Sequence, residues 1–507
     1  MIGCLPPTGK TAIYMGVAVM NLKKMLAAAL AVAVSINITV FADVAYGAAQ
    51  SSAKPAVAAT KPETKPIGGT ELKNIRIGGD GNQTRIVMDL SGAKKYNYGF
   101  ENNNTRLVIN IDGVSTAMKA APDTKRGAIK DLILATYGDT VQLIVDLKVP
   151  VPAKVYSLKN PDRIVIDITN KYEAESLNKV DDGLLQGKYV RFDSRGMFTA
   201  YMLDVDPTKF DIKMVLPWGT VSSGWGKLST VVENCNAVAG INGGYFDWSD
   251  KFLVGNIRLN GVTAGMVAEN RTGLIKRSDG SYDIGPAQYS GTVEINGKGI
   301  SFWGVNAPRG KDAIVLYNGL YGSRTGTNEF GKEYVIRRGR VQAINQGNSE
   351  IPPDGFVVSV HGQSQAYFNG VKVGDAAIIT ESLGDGIGAK DDFYGAGPQL
   401  VANGVVSVTS QAEHIANDIA NGRAPRTAVG IKSDGHILLM VADGRQSHSI
   451  GASLVEMGQL MVKYGAVKAV NYDGGGSSEM VVNNRIVNWP SDGNERSIGN
   501  ALLVFKK

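Results

Sequence analysis

The chain predicts an α+β protein: an N-terminal all-β sandwich with an internal repeat, followed by a mixed α/β-sheet domain that carries the chemistry. Three observations lead there. Short β-branched segments recur at one fixed offset between residues 72 and 170. A strand–helix–strand order runs from 426 to 473. The 62 glycines among 507 residues favour turns and short strands over helical bundles. This length suggests two to four domains, and 43% hydrophobic residues supply ample core.

The N-terminus reads as a leader over residues 1–49. Asn21, Leu22, Lys23 and Lys24 form a basic start. Residues 25–41 are apolar and uncharged, and Ala45, Gly47, Ala48 and Ala49 supply the small residues of a cleavage site. An exported location follows: periplasmic, cell-wall-associated or extracellular, with membrane attachment only if the leader stays uncleaved. Residues 3–11 imitate a phosphate-binding loop, but five residues separate the glycines where the motif has four, and no strand precedes them. Residues 50–70 mix Ala, Lys, Pro, Ser and Thr without an apolar period and read as a tether. Beyond the leader the one cysteine is Cys235, read as a small packed group.

Residues 71–170 contain the repeat. Leu72 to Ile77 aligns with Ile129 to Leu134, Ile86 to Leu90 with Leu143 to Leu147, and Arg106 to Ile111 with Arg163 to Ile168, each displaced by 57 residues (72 to 129, 86 to 143, 106 to 163). Each segment is bounded by Gly, Pro, Asn or Asp, as strands are. Two copies of a three- or four-stranded unit make a pseudo-symmetric β-sandwich. The region has no histidine and no convergent carboxylates, so a binding role suits it better than catalysis. The pattern ending in NPDRIVIDI, residues 160–168, resembles the AMIN domain. That resemblance implies a bacterial envelope module that binds or localises to the cell wall, with peptidoglycan as its partner.

Residues 171–187 are polar and mixed and read as a boundary, with the second domain at 188–507. A short helix is expected at 228–234, and Asn260-Gly261 predicts a hairpin turn. Residues 280–390 read as a succession of short strands. Further on, 427–432 and 436–441 form a hairpin around Asp434-Gly435, and a helix follows over 453–464 with Leu454, Met457, Leu460 and Met461 on one face. Gly465 stops that helix, and an apolar strand then delivers Asp473 onto Gly474, Gly475 and Gly476, followed by Ser477 and Ser478. Residues 237–246 repeat the device: an apolar run ending in Asn242, Gly243 and Gly244. Glycines without a Cβ let a ligand approach backbone N–H groups, which suits an anion. Asp443 and Asp473 both fall at strand carboxyl ends, where ligands of such sheets bind.

Four pieces in order, INGGYF (241–246), RTAVG (426–430), DGR (443–445) and NYDGGGSSEMVV (471–482), together with Asn488, Arg496 and Asn500 in the tail, resemble the phosphodiester glycosidase family. Tyr472 stands where the family often has leucine. The resemblance implies hydrolysis of a sugar C1–O bond in a sugar phosphodiester, leaving the phosphomonoester. A carboxylate must stabilise the positive charge that develops on the sugar. Asp473 is the first candidate for it, then Asp443 and Glu456. Arg426, Arg445 and Arg496 offer planar donor forks for the phosphate. Gly474, Gly475, Gly476, Ser477 and Ser478 could hold the phosphate or sugar hydroxyls, and Asn242 with Gly243 the sugar. His448 is a weaker candidate for proton transfer.

No cofactor is expected. His361, His414, His436 and His448 lack metal-ligand spacing, and Ca²⁺ held by carboxylates is the one metal the residue types admit, without an EF-hand-type loop. The net charge of +6 is mild and the basic residues are scattered, which excludes a nucleic-acid stripe. The expected partner is an envelope glycan or sugar-phosphate polymer. A non-catalytic wall-binding or polysaccharide-assembly role is the alternative.

Overall fold

The computed structural model describes residues 69–267 and 270–507. The leader at 1–49, and all but the last two residues of the expected tether at 50–70, lie outside the described residues.

The repeat folds as two facing sheets. One runs in the order Val114–Thr116, Thr70–Gly79, Gln83–Leu90, Arg163–Thr169, Ala153–Leu158; the other runs Tyr96–Glu101, Arg106–Ile111, Thr140–Leu147, Ile129–Tyr137. Each sheet therefore joins the first hairpin of one copy to the second hairpin of the other. A shift of 57 residues maps the four repeated strands of one sheet onto the other. Strict alternation drives the sandwich: Thr84, Ile86, Met88 and Leu90 point inward from one strand, and Val141, Leu143, Val145 and Leu147 from its counterpart. Arg106 stands opposite Asp146, and Asp89 opposite Arg163, the same charged pair in both halves.

Residues 171–187, expected as a boundary, instead form strand Tyr172–Asp181 and enter strand Leu184–Asp193. The first of these is mostly exposed and polar because it is an edge strand, paired on one side only. These two strands open an eight-stranded sheet that continues through Gly196–Val205 into the strands that carry the site. Those are β2 (Arg426–Lys432), β3 (Ile437–Ala442) and β4 (Ala466–Tyr472), in the spatial order β3, β2, β4. A five-stranded sheet packs against this one and contains β1 (Ala239–Asn242), β5 (Met480–Val482) and β6 (Ala501–Lys506). The layer between them holds Leu203, Phe210, Ile241, Val429, Leu439, Val470 and Leu502.

β3 and β4 each run antiparallel to β2, so they run parallel to one another. Helix α1 (Leu454–Lys463) makes the crossover and buries Leu454, Met457, Leu460 and Met461 against Ala428, Leu438, Met440 and Ala469. Gly465 at φ +91° then turns the chain into β4, a conformation that favours glycine. The short helix Leu228–Asn234 forms where expected, and Cys235 at its end packs in a small cluster with Val231 and Leu503. Asn260 (φ +50°) and Gly261 (φ +76°) form the tight turn between Ile257–Leu259 and Val262–Val267. Strands between 257 and 395 build a ten-stranded sheet with a three-stranded sheet beside it. Among the described residues no helix is long and apolar enough to cross a membrane.

Candidate active site

The crossover places the ends of β3 and β4 on one edge with the start of β2 between them. Arg426 pairs with Ala442, the residue before Asp443, and Thr427 pairs with Tyr472, the residue before Asp473. Asp443, Arg426 and Asp473 are thus neighbours by strand register alone. β1 arrives from the other sheet. Asn242 is fully buried: its Nδ2 donates to Asp473 O at 2.7 Å, and its Oδ1 accepts from Thr427 Oγ1 at 2.7 Å and Glu479 N at 3.2 Å.

This is a correction for Asn242. All of its polar capacity is spent riveting β1 to β2 and to the glycine loop, so it positions the site and is closed to a sugar. Gly243 is likewise structural. A Cβ there would lie 1.9 Å from Asn500 Oδ1, and its N–H donates to Asn500 O at 2.9 Å.

The glycine loop is the centre of charge. Asp473 Oδ1 accepts from Gly474 N at 2.9 Å. Burial raises the carboxyl to about 6, against the opposing pull of the Ser477 hydroxyl, the Gly474 N–H and the Arg496 charge. Each of the three glycines faces one arginine. A Cβ on Gly474 would stand 3.9 Å from Arg426 Cδ, one on Gly475 would stand 3.4 Å from Arg445 Nη1, and one on Gly476 would fall 2.0 Å from Arg496 Nη2. A side chain at Gly476 would displace the Arg496 guanidinium, whereas one at Gly474 would first strike Pro425 O, 2.8 Å away. Arg445 itself sits at φ +59°, a left-handed conformation uncommon outside glycine, which the fold imposes where it matters.

The cations are under-compensated. Arg426 is 2% exposed and donates to the carbonyls of Ala452 (3.1 Å) and Gly422 (3.3 Å), without a carboxylate partner among the described residues. Burial, and then the neighbouring Arg445 charge, hold its pKa below the usual arginine range. Arg445 has no ion pair among the described residues either, whereas Arg496 is paired to Asp492 at 2.6 Å. Two like charges left near one another beside a glycine turn are an arrangement that an anion would relieve. Ser478 Oγ, in a residue only 1% exposed, has no hydrogen-bond partner among the described residues and lies on the same loop.

Asp443 is 1% exposed and belongs to the site, but not as a free carboxylate. Its Oδ1 accepts from Asn488 Nδ2 and Trp489 N, both at 3.1 Å, and its Oδ2 meets His448 Nε2 at 2.9 Å. Glu456 is not in the site, and this corrects the expectation for it. It closes a capping box with Ser453 at the start of α1 and lies among Arg191, Arg195 and Arg423. A carboxylate at the third helical position after a serine is a cap signal, which its apolar-face spacing obscured.

Sequence reasoning missed Glu479. It is 2% exposed, lies behind the serines, and faces Glu495, so burial first and then the Glu495 charge raise it to about 9. Glu495 in turn accepts from Ser229 N and Oγ. Its place in the run after Ser478 was the available signal. Among the described residues no three acidic, histidine or cysteine side chains gather as metal ligands.

Against known proteins, residues 330–505 match the Phosphodiester glycosidase family and residues 74–159 match the AMIN domain family, so the chain carries a phosphodiester glycosidase domain behind an AMIN domain. Similar proteins include the N-acetylglucosamine-1-phosphodiester alpha-N-acetylglucosaminidases of Bos taurus, 40% identical over 76 residues, and Homo sapiens, 42% identical over 67. An uncharacterized SPbeta prophage-derived protein of Bacillus subtilis is 37% identical over 84 residues. These stretches cover 15%, 13% and 17% of this chain, and the chain spans only 14%, 13% and 13% of those relatives' lengths. Two solved structures share the fold. A hypothetical protein from Synechocystis has TM-score 0.60 and 21% identity, covering 87% of this chain and 82% of its own. A putative exported protein from Burkholderia pseudomallei has TM-score 0.55 and 20% identity, covering 81% and 96%.

Proposed function

We propose that the protein is an exported hydrolase that cleaves the sugar C1–O bond of a sugar phosphodiester in a cell-envelope polysaccharide, leaving a phosphomonoester, with the AMIN domain holding it at peptidoglycan. The observation that carries this reading is the alignment of Arg426, Arg445 and Arg496 on the three glycines next to Asp473. A phosphodiester supplies the anion that Arg426 and Arg445 lack. As C1–O breaks, charge accumulates on the departing phosphate, which the guanidinium forks and loop N–H groups neutralise. Asp473 supports the positive charge on the sugar. It does so as a carboxylate, and its raised pKa leaves it ionised above about pH 6. The names of the similar mammalian enzymes agree with this reaction class.

The test is purified protein incubated with wall polymer and with the 1-phosphate methyl diester of N-acetyl-α-glucosamine, assaying reducing sugar and phosphomonoester together. Wild type should release both in equal amounts. Asp473→Asn should release neither while still binding the diester. Binding by wild type with no release from either substrate would favour the non-catalytic wall-binding role instead.

A further inference from the structure

We propose that His448, oriented by Asp443, is the base that takes the proton from the water attacking the sugar C1; this rests on the glycosidase reading above. The turn that carries it is tightly built. Ser449 Oγ donates to Asp443 O at 2.7 Å and accepts from Thr199 N at 3.0 Å, and Thr199 Oγ1 donates to His448 O at 3.1 Å. Gln446 and Ser449 exchange backbone hydrogen bonds at 3.1 Å. Asn488 ties this turn to the glycine loop, because its Nδ2 donates both to Asp443 Oδ1 and to Ser478 O, each at 3.1 Å.

The hydrogen bonds decide the roles. Asp443 is buried and takes three donors, Asn488, Trp489 and His448, so it has little capacity left for a substrate and is aimed away from solvent. Its bond to Nε2 fixes the tautomer with the proton on Nε2 and the lone pair on Nδ1. The imidazole is 35% exposed, and Nδ1 has no hydrogen-bond partner among the described residues. A buried carboxylate behind an imidazole with one open nitrogen is the arrangement that generates a base and steadies the imidazolium it becomes. The Trp489 indole, 67% exposed with its ring centre 5.8 Å from that of the imidazole, offers an apolar face for a sugar ring next to the imidazole.

A water proton passes to His448 Nδ1 while the water oxygen bonds to C1. The C1–O bond to phosphate breaks, and its electron pair leaves on the phosphate oxygen held by the arginines. The imidazolium, stabilised by Asp443, then returns its proton to solvent. The same base serves whether water attacks the sugar directly or a glycosyl group first carried by Asp473. Asp443 is a positioning residue in this scheme.

The experiment uses the N-acetyl-α-glucosaminyl phosphomethyl diester and the full chain. His448→Ala should lower kcat by about 100-fold or more with KM little changed, and added imidazole should restore part of the loss. Asp443→Asn should lower kcat as well, and imidazole should not restore it. His448→Gln, which keeps a polar group of similar size, should fold like wild type by circular dichroism and stay as slow as His448→Ala without imidazole. If wild type releases sugar and His448→Ala stays within about threefold of it, or if its loss is indifferent to imidazole, the proposal is wrong while the glycosidase reading stands. If wild type releases no sugar from diester or wall polymer, both go.

Discussion

Asp473 links chemistry to stability through one number. Its carboxyl is raised to about 6 chiefly by burial. A group whose folded pKa exceeds its unfolded value stabilises the fold fully below the unfolded value, near 4, and that contribution is lost as pH rises through 6. At pH 8 the native state therefore carries a partly buried carboxylate at an energetic cost. Asp473→Asn should raise the melting temperature at pH 8, by an amount corresponding to roughly 2–3 kcal/mol at most, and the gain should vanish near pH 4. Because the reaction needs the ionised form, wild-type kcat/KM should climb through about pH 6 and level off above it. A melting temperature that Asp473→Asn leaves unchanged at both pH values would contradict the account of a carboxylate desolvated by the fold. The residue types at this centre were legible: Asp473, the three glycines and the three arginines gather as their pattern implied. Asn242 was misread because a buried amide that joins two sheets looks, in sequence, like one that faces a ligand. Glu479 was passed over because nothing in a linear string reveals that Glu495 lies against it.

At the scale of elements, the helix and the strands around it were legible and the role of Glu456 was not. Apolar positions at 454, 457, 460 and 461 give α1 its buried face. Glu456 lies one position from Met457, so face spacing alone put it near the core. The deciding pattern was shorter: Ser453 followed three residues later by Glu456, each bonding the other's backbone N–H at about 3 Å. Its neighbours Arg195 and Arg423 then hold it 2.8 Å and 2.7 Å away. Ser453→Ala should cost about 1 kcal/mol in urea unfolding and leave kcat within twofold. Glu456→Gln should also leave kcat unchanged; a large loss there would return Glu456 to the catalytic set. The edge hairpin at 172–193 escaped notice for a related reason. A strand with one solvated face and one unpaired edge needs few apolar residues, so Tyr172–Asp181 reads as a polar connector.

On the whole-molecule scale, that hairpin decides how the two domains communicate. It is part of the eight-stranded sheet, yet Phe192, 4% exposed, belongs to the hydrophobic core of the repeat sandwich, with Tyr172 and Met197 packed against the same cluster. Lys148 of the sandwich lies 5.8 Å above the Phe192 ring. The sheet that presents Arg426, Asp443 and Asp473 thus ends in strands whose side chains pack on the repeat sandwich: Leu184–Asp193, which carries Phe192, pairs with Gly196–Val205, which pairs with β3. Such a junction makes the sandwich a fixed arm and not a tethered one, so its melting should be coupled to that of the glycosidase domain. Truncating a buried phenylalanine removes its burial and leaves a cavity, costing about 3–5 kcal/mol. Phe192→Ala should lower the melting of both parts together in a single calorimetric transition, and a chain lacking residues 70–169 should be poorly soluble because Tyr172, Phe192 and Met197 lose their cover. Two separate transitions in wild type, with Phe192→Ala shifting only one, would show instead that the domains fold independently and that the arm is free to swing.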